Sequence, residues 1–130
     1  MAQENVDLVR SGYEAFNRGD IDAVLAIMDD EIEWHEPGGG NAPAGSFRGP
    51  QSVASEVFAQ VPERFEDFRV DIEQLVDVGE HVAVIGRFRG TSKSGKQLDA
   101  PFVHVATVRN GKEVGFRNYV AGDQWAEAWS

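Results

Sequence analysis

The chain of 130 residues contains no cysteine, which removes thiol nucleophiles, thiolate metal sites and a disulfide framework together and leaves the redox compartment unread. Basic residues are scarce. With 12 Lys and Arg against 22 Asp and Glu the net charge is -10, so affinity for a phosphate backbone has no source here and nucleic acid is not an expected partner. The acidic residues are scattered rather than gathered in a tail, as on a solvated surface. No apolar run approaches the length of a membrane span, and the N-terminus lacks a basic region followed by an apolar core and a cleavage site. A cytoplasmic protein with no membrane partner is expected. His35, His81 and His104 lack HExxH or any other helical metal spacing, so no metal site is expected either.

What is present fits one domain, residues 1–130, large enough to bury its own core. Val6, Val9, Tyr13 and Phe16 recur at helical spacing and stop at Asn17-Arg18-Gly19, where glycine can take a left-handed closing conformation. Asp20 can cap a second helix, whose stripe of Ile21, Val24, Leu25 and Met28 ends at Asp29-Asp30. A strand follows with Ile32, Trp34 and Glu36 on one face and Glu31, Glu33 and His35 on the other. Residues 37–49 hold two prolines and five glycines, a composition that predicts an irregular loop able to act as a lid. Pro50 opens a third helix with Val53, Val57, Val61 and Phe58 on its apolar side.

Four strand-like segments come next, at about 67–78, 81–91, 96–109 and 113–121. Turn signals at Val78-Gly79-Glu80, Lys93-Ser94-Gly95-Lys96 and Arg109-Asn110-Gly111-Lys112 separate them. Helices first and an antiparallel meander afterwards make the α+β pattern, with a curved antiparallel sheet forming a cone around the N-terminal helices. In segment 96–109, Phe102, His104, Ala106 and Val108 point one way and Val103, Val105 and Thr107 the other, so both faces are largely apolar. The outer face then needs a cover, and a second copy of the chain is the simplest one, giving a homodimer through the outer sheet face.

The segment Glu33-Trp34-His35-Glu36-Pro37-Gly38 carries the chemistry, because it sets a carboxylate on an apolar strand face just before a chain-breaking Pro-Gly. Burial disfavours the charge and raises the pKa, which suits a general base near neutral pH. His104 and Asn118 are the other polar residues on strand faces otherwise made of Trp34, Phe102, Phe116 and Val120. Either these groups satisfy one another or they meet a polar ligand in a mostly apolar cavity. Structural roles stand beside the functional ones: Glu36 pairing with Arg48, Arg87 or Arg89, His104 as a satisfied core histidine, Asn118 bonding His104 and fixing its tautomer. Asp99 falls on the opposite parity from His104 unless a bulge at Pro101 reverses it. The tail from Asp123 to Ser130, with Trp125 and Trp129, either caps the cone or crosses to a partner.

Tyr13-Glu14-Ala15-Phe16-Asn17-Arg18-Gly19-Asp20, the Trp34 to Gly38 strand end and Val108-Arg109-Asn110-Gly111-Lys112, in this order and spacing, carry a likeness over nearly the whole chain. The chain resembles the nuclear transport factor 2-like superfamily, also described as cystatin-like, and within it the SnoaL-like polyketide cyclases and ketosteroid isomerases. The resemblance implies a catalytic base at Glu36 and a donor at His104, where the cyclases also carry a histidine. It departs at Asn118, which stands where the cyclases have an acid/base aspartate, and at Gly12, the position nearest the isomerase tyrosine, with Tyr13 one residue and about 100° of helix away.

Two functions of different class follow. In the first, Glu36 takes a proton from carbon next to the carbonyl of a small hydrophobic ligand while His104 and Asn118 donate to the enolate oxygen, with no cofactor. Tyr13, Phe16, Trp34, Phe58, Phe88 and Phe102 would wall the pocket of this isomerase or cyclase. In the second, the cavity only binds a small molecule or supports dimerisation. An epoxide hydrolase needs a paired acid and base around one water, which one Glu, one His and one Asn supply poorly.

Overall fold

The computed structural model describes residues 2–130. Helix α1 (Ala2–Asn17) buries Val6, Val9 and Ala15 and ends where Gly19, at φ 79°, lets the chain reverse. Both the amide and the carbonyl of Val70 are bonded by the Asn17 side chain, at 2.9 and 2.8 Å, which fixes the end of α1 to the sheet. Helix α2 (Ile21–Ala26) is capped by Asp20, whose side chain accepts from the Ala23 amide.

Strands β1 (Met28–Pro37), β2 (Ala44–Arg48), β3 (Phe65–Val78), β4 (His81–Ser92), β5 (Gln97–Arg109) and β6 (Lys112–Val120) form one sheet in the order β2-β1-β6-β5-β4-β3. Helices α3 (Pro50–Val53) and α4 (Gln60–Arg64) flank a π-helical turn, Ala54–Phe58, and α5 (Gly122–Ala128) closes the chain. The fold is α+β, a six-stranded curved sheet with its helices packed on one face.

Four expectations are corrected. The second helix stops at Ala26, and Met28 opens β1 instead, because the Ile27 carbonyl accepts from the Glu113 amide and Met28 pairs with Glu113. Sheet pairing thus takes over positions whose spacing alone is helical. Within the supposed loop 37–49, Ala44–Arg48 is an edge strand antiparallel to β1, held by Arg48 on Glu33 at 2.7 Å and Ser46 on His35 at 2.7 Å. The sheet is not wholly antiparallel, since β1 and β6 run parallel. The third helix is broken: Pro62 has no amide to donate, and the π turn bonds Ala59 to Ala54, burying both Val57 and Phe58.

The C-terminal segment caps the cone of its own chain. Trp129 packs on Phe65 at 5.0 Å between ring centres and Trp125 on Phe88 at 4.5 Å, while the Asn41 amide bonds the Trp129 carbonyl. Gly40, at φ 58°, lies so close to Ala126 that a Cβ would clash with its carbonyl oxygen, which pins the glycine segment against α5. Outside the cone, Val103 and Tyr119 are cross-strand partners and stand 39% and 55% exposed.

Candidate active site

Alternation along three strands brings Glu36 of β1, His104 of β5 and Asn118 of β6 to one cavity of about 90 Å³. His104 and Asn118 face each other in the β5–β6 register, and Trp34 pairs with Phe116 two residues before Glu36 and Asn118. Glu36 accepts from Trp34 Nε1 at 2.7 Å and from Asn118 Nδ2 at 3.0 Å, one donor on each carboxyl oxygen. Burial pushes its pKa up from 4.5 to about 7, and these two bonds hold it from going higher. The arginines considered as partners are engaged elsewhere: Arg48 with Glu31 and Glu33, Arg87 with Asp99, Arg89 with Asp71 and Asp99. Asp99 stays on the outer face, because β4 and β5 pair without a bulge at Pro101.

His104 is buried, and burial drives its pKa down to about 3, so the ring is neutral. The Tyr13 hydroxyl lies 2.7 Å from His104 Nδ1. Tyr13 keeps its proton, since burial first, then the charges of Glu113 and Glu36, raise its pKa well above 10. A phenol that donates to Nδ1 assigns the imidazole proton to Nε2. Nε2 and Asn118 Oδ1 are both without a hydrogen-bond partner among the described residues. The neighbouring Asn118 amide holds the ring's pKa up against burial, although neither atom has a bond that meets hydrogen-bond geometry among the described residues. The result is a polar string, Tyr13, His104, Asn118, Glu36 and Trp34, with one gap in it.

Apolar walls enclose the string. Tyr13, Phe16, Trp34, Phe58 and Phe88 line the cavity, joined by Phe116, Trp125 and Trp129. Trp34 stacks on Phe116 at 3.7 Å and 12°, a flat floor beside Glu36. Phe102 is the exception among the expected wall residues: it does not line the cavity but stacks behind His104 at 3.8 Å and 14°, holding the ring in place. Gly12, at the position nearest the isomerase tyrosine, also lines the cavity, and a Cβ there would meet Ile27 Cδ1 at 2.8 Å.

Sequence alternation missed one ionisable cavity residue, Glu113. Counting back from Phe116 in twos puts it outside, but a bulge sets Thr107 opposite Gly115 and Val108 opposite Glu113, so Val114 is the extra residue and Glu113 turns inward. It is 6% exposed, and burial pushes its pKa to about 8. Gly115 inside a strand pattern was the available signal. Among the described residues no cluster of three or more His, Asp or Glu side chains is placed to hold a metal ion, and no helix is long and apolar enough to cross a membrane.

A helix-lined cone with a few polar groups in an apolar cavity defines a nuclear transport factor 2-like protein. The chain belongs to the SnoaL-like domain family, whose model matches residues 9–115. It is similar to an NTF2-like protein of unknown function from Burkholderia pseudomallei, at 28% identity over 98% of each chain and a TM-score of 0.90. It is also similar to TerC, whose structure was determined with polyporic acid, at 26% identity over 97% of this chain and 98% of that one, TM-score 0.88. A Catenulispora acidiphila protein with a ketosteroid isomerase-like fold shares the fold, at 14% identity over 90% and 87% of the chains, TM-score 0.77. No curated protein matches the chain.

Proposed function

We propose that the protein catalyses proton transfer next to the carbonyl of a small hydrophobic substrate, as a cofactor-independent isomerase or cyclase, with Glu36 as the base. The observation that carries this reading is a half-buried carboxyl lining an apolar cavity, bonded by two neutral donors and with its pKa raised to about 7. Such a group accepts a proton and returns it at neutral pH. In the forward step the carboxylate takes the proton from the α-carbon, the C–H electron pair forms the C=C bond, and the carbonyl π pair moves to oxygen. His104 Nε2–H and the second N–H of Asn118 donate to that oxygen, acting as preorganised neutral dipoles. Glu36 then delivers the proton to another carbon, or the enolate carbon attacks an electrophile of the same substrate. That TerC, similar to this chain, was co-crystallised with polyporic acid supports an organic ligand here.

Deuterium exchange at the methyl group of para-isopropylacetophenone, followed by NMR, tests the reading. The protein is expected to accelerate exchange, and Glu36→Gln to slow it by about a hundredfold or more with the ketone still bound. Bound ketone exchanging at the uncatalysed rate would leave the alternative, a binding module without catalysis.

Assembly belongs to the same reading. Ile85, Val103 and Tyr119 are adjacent across β4, β5 and β6 on the outer face, and a second copy of the chain fits this apolar strip, with Arg87, Arg89 and Asp99 at its rim. Light scattering should give twice the chain mass, and Val105→Asp should reduce it to one chain while the far-ultraviolet spectrum holds. A single-chain mass at every concentration would defeat the dimer.

A further inference from the structure

We propose that Glu113 binds a second oxygen at the far end of the ligand, a carbonyl or ether, so that the cavity selects a compact apolar diketone or keto-ether over a simple ketone. This deepens the reading above and rests on Glu36 marking the reacting end. Glu113 is more than nine-tenths buried, lines the same cavity, and has no side-chain hydrogen bond among the described residues. Its backbone is spoken for: the amide donates to the Ile27 carbonyl, which fixes the residue where α2 joins β1. A carboxyl that faces an apolar cavity without a protein partner is costly, and a ligand oxygen in that cavity relieves the cost.

The chemistry of the partner follows from the surroundings. Among the described residues no lysine or arginine lines the cavity, and the nearest basic residue in sequence, Lys112, sends its amine to the Ala26 carbonyl at 2.7 Å. The titratable groups on the other walls are Tyr13 of α1, Glu36 of β1 and His104 of β5, a phenol, a second acid and a neutral ring. With a pKa near 8 Glu113 is a neutral acid at pH 7, a donor that wants an acceptor. Size and shape follow too. Glu113 and Asn118 lie five positions apart on β6, one of them used by the bulge, so their backbones are separated by roughly 13 Å. Between them Phe116 and Trp34 make a flat stacked wall. The cavity of about 90 Å³ is small, which restricts the ligand to a compact one.

Two near-isosteric probes decide it, para-diacetylbenzene with a second carbonyl and para-isopropylacetophenone without, titrated against the protein by calorimetry. The diketone should bind about five- to tenfold tighter at pH 6.5, and the preference should fall as pH rises above about 8, because ionised Glu113 repels the carbonyl oxygen. Glu113→Gln, which keeps a donor, should retain the preference and lose its pH dependence. Glu113→Leu should abolish the preference; if that variant does not fold, the wild-type pH profile and Glu113→Gln still decide. Equal affinities in the wild type, binding of neither probe, or a preference that survives Glu113→Leu overturns the proposal. Binding is read without turnover, so an intact preference without deuterium exchange sinks only the proton-transfer reading, and exchange without preference sinks only this one.

Discussion

Glu36 and Glu113 line one cavity and both are held above the ordinary carboxylate pKa, yet half-buried Glu36 accepts two hydrogen bonds and buried Glu113 none among the described residues. Their environments differ in donors and in exposure. Burial alone makes Glu113 an acid at neutral pH, whereas burial against Trp34 and Asn118 leaves Glu36 balanced between its two forms. A group in balance can cycle a proton, and a group kept protonated can only offer one to an acceptor. The same side chain thus serves two purposes, set by whether a neighbouring strand supplies N–H groups.

The largest effect that separates the two is on proton transfer itself. Glu36→Gln should remove the exchange reaction about a hundredfold, whereas Glu113→Gln should act first on diketone binding and its pH dependence. Equal losses of exchange in both variants at saturating ligand would erase the distinction.

Stability comes next, with its sign set by the direction of the shifts. Both carboxyls bind protons in the folded state that the unfolded chain has released by pH 5, so their contribution is fully present below the unfolded value near 4.5 and is lost as pH rises through about 7 and 8. His104 works from the other side: its folded pKa near 3 lies below the unfolded 6.5, so its contribution holds above 6.5 and is lost as pH falls toward 3. Glu113→Gln should therefore melt above the wild type at pH 9, by roughly 5 °C or more, and lose that advantage at pH 5. A wild type as stable at pH 9 as at pH 5 would mean that Glu113 ionises without penalty, through a water or a partner side chain.

The same pair marks what a sequence can disclose. Glu36, His104 and Asn118 fall on the inner face by simple alternation, and the helices, the order of strands and the hairpins at Gly79, Gly95 and Asn110-Gly111 are local signals that alternation and turn chemistry carry. Glu113 was hidden because one bulge at Val114 reverses parity, and parity is blind to a bulge unless Gly115 is taken as its mark. Phe102 has the right parity and still misses the cavity, since the ring of His104 lies over it, a matter of packing rather than of face. The parallel β1–β6 pair and the edge strand Ala44–Arg48 depend on residues far apart or on pairing that supplies order to a glycine-rich segment, and local composition holds neither.

The smallest effect tests why Glu36 stays below Glu113. Trp34→Phe keeps an aromatic ring on Phe116 and Phe58 but removes the N–H that reaches Glu36 Oε2 at 2.7 Å. That bond favours the ionised form, so its loss raises the pKa and reduces the fraction of base at acid pH. The acid limb of the exchange profile should move to higher pH, with the rate at pH 6 down about three- to tenfold and the rate at pH 9 nearly unchanged. A uniform loss at every pH would instead make Trp34 a wall that positions the ketone. A limb that moves to lower pH would mean that the indole does not stabilise the carboxylate, and that Asn118 alone separates the two acids of this cavity.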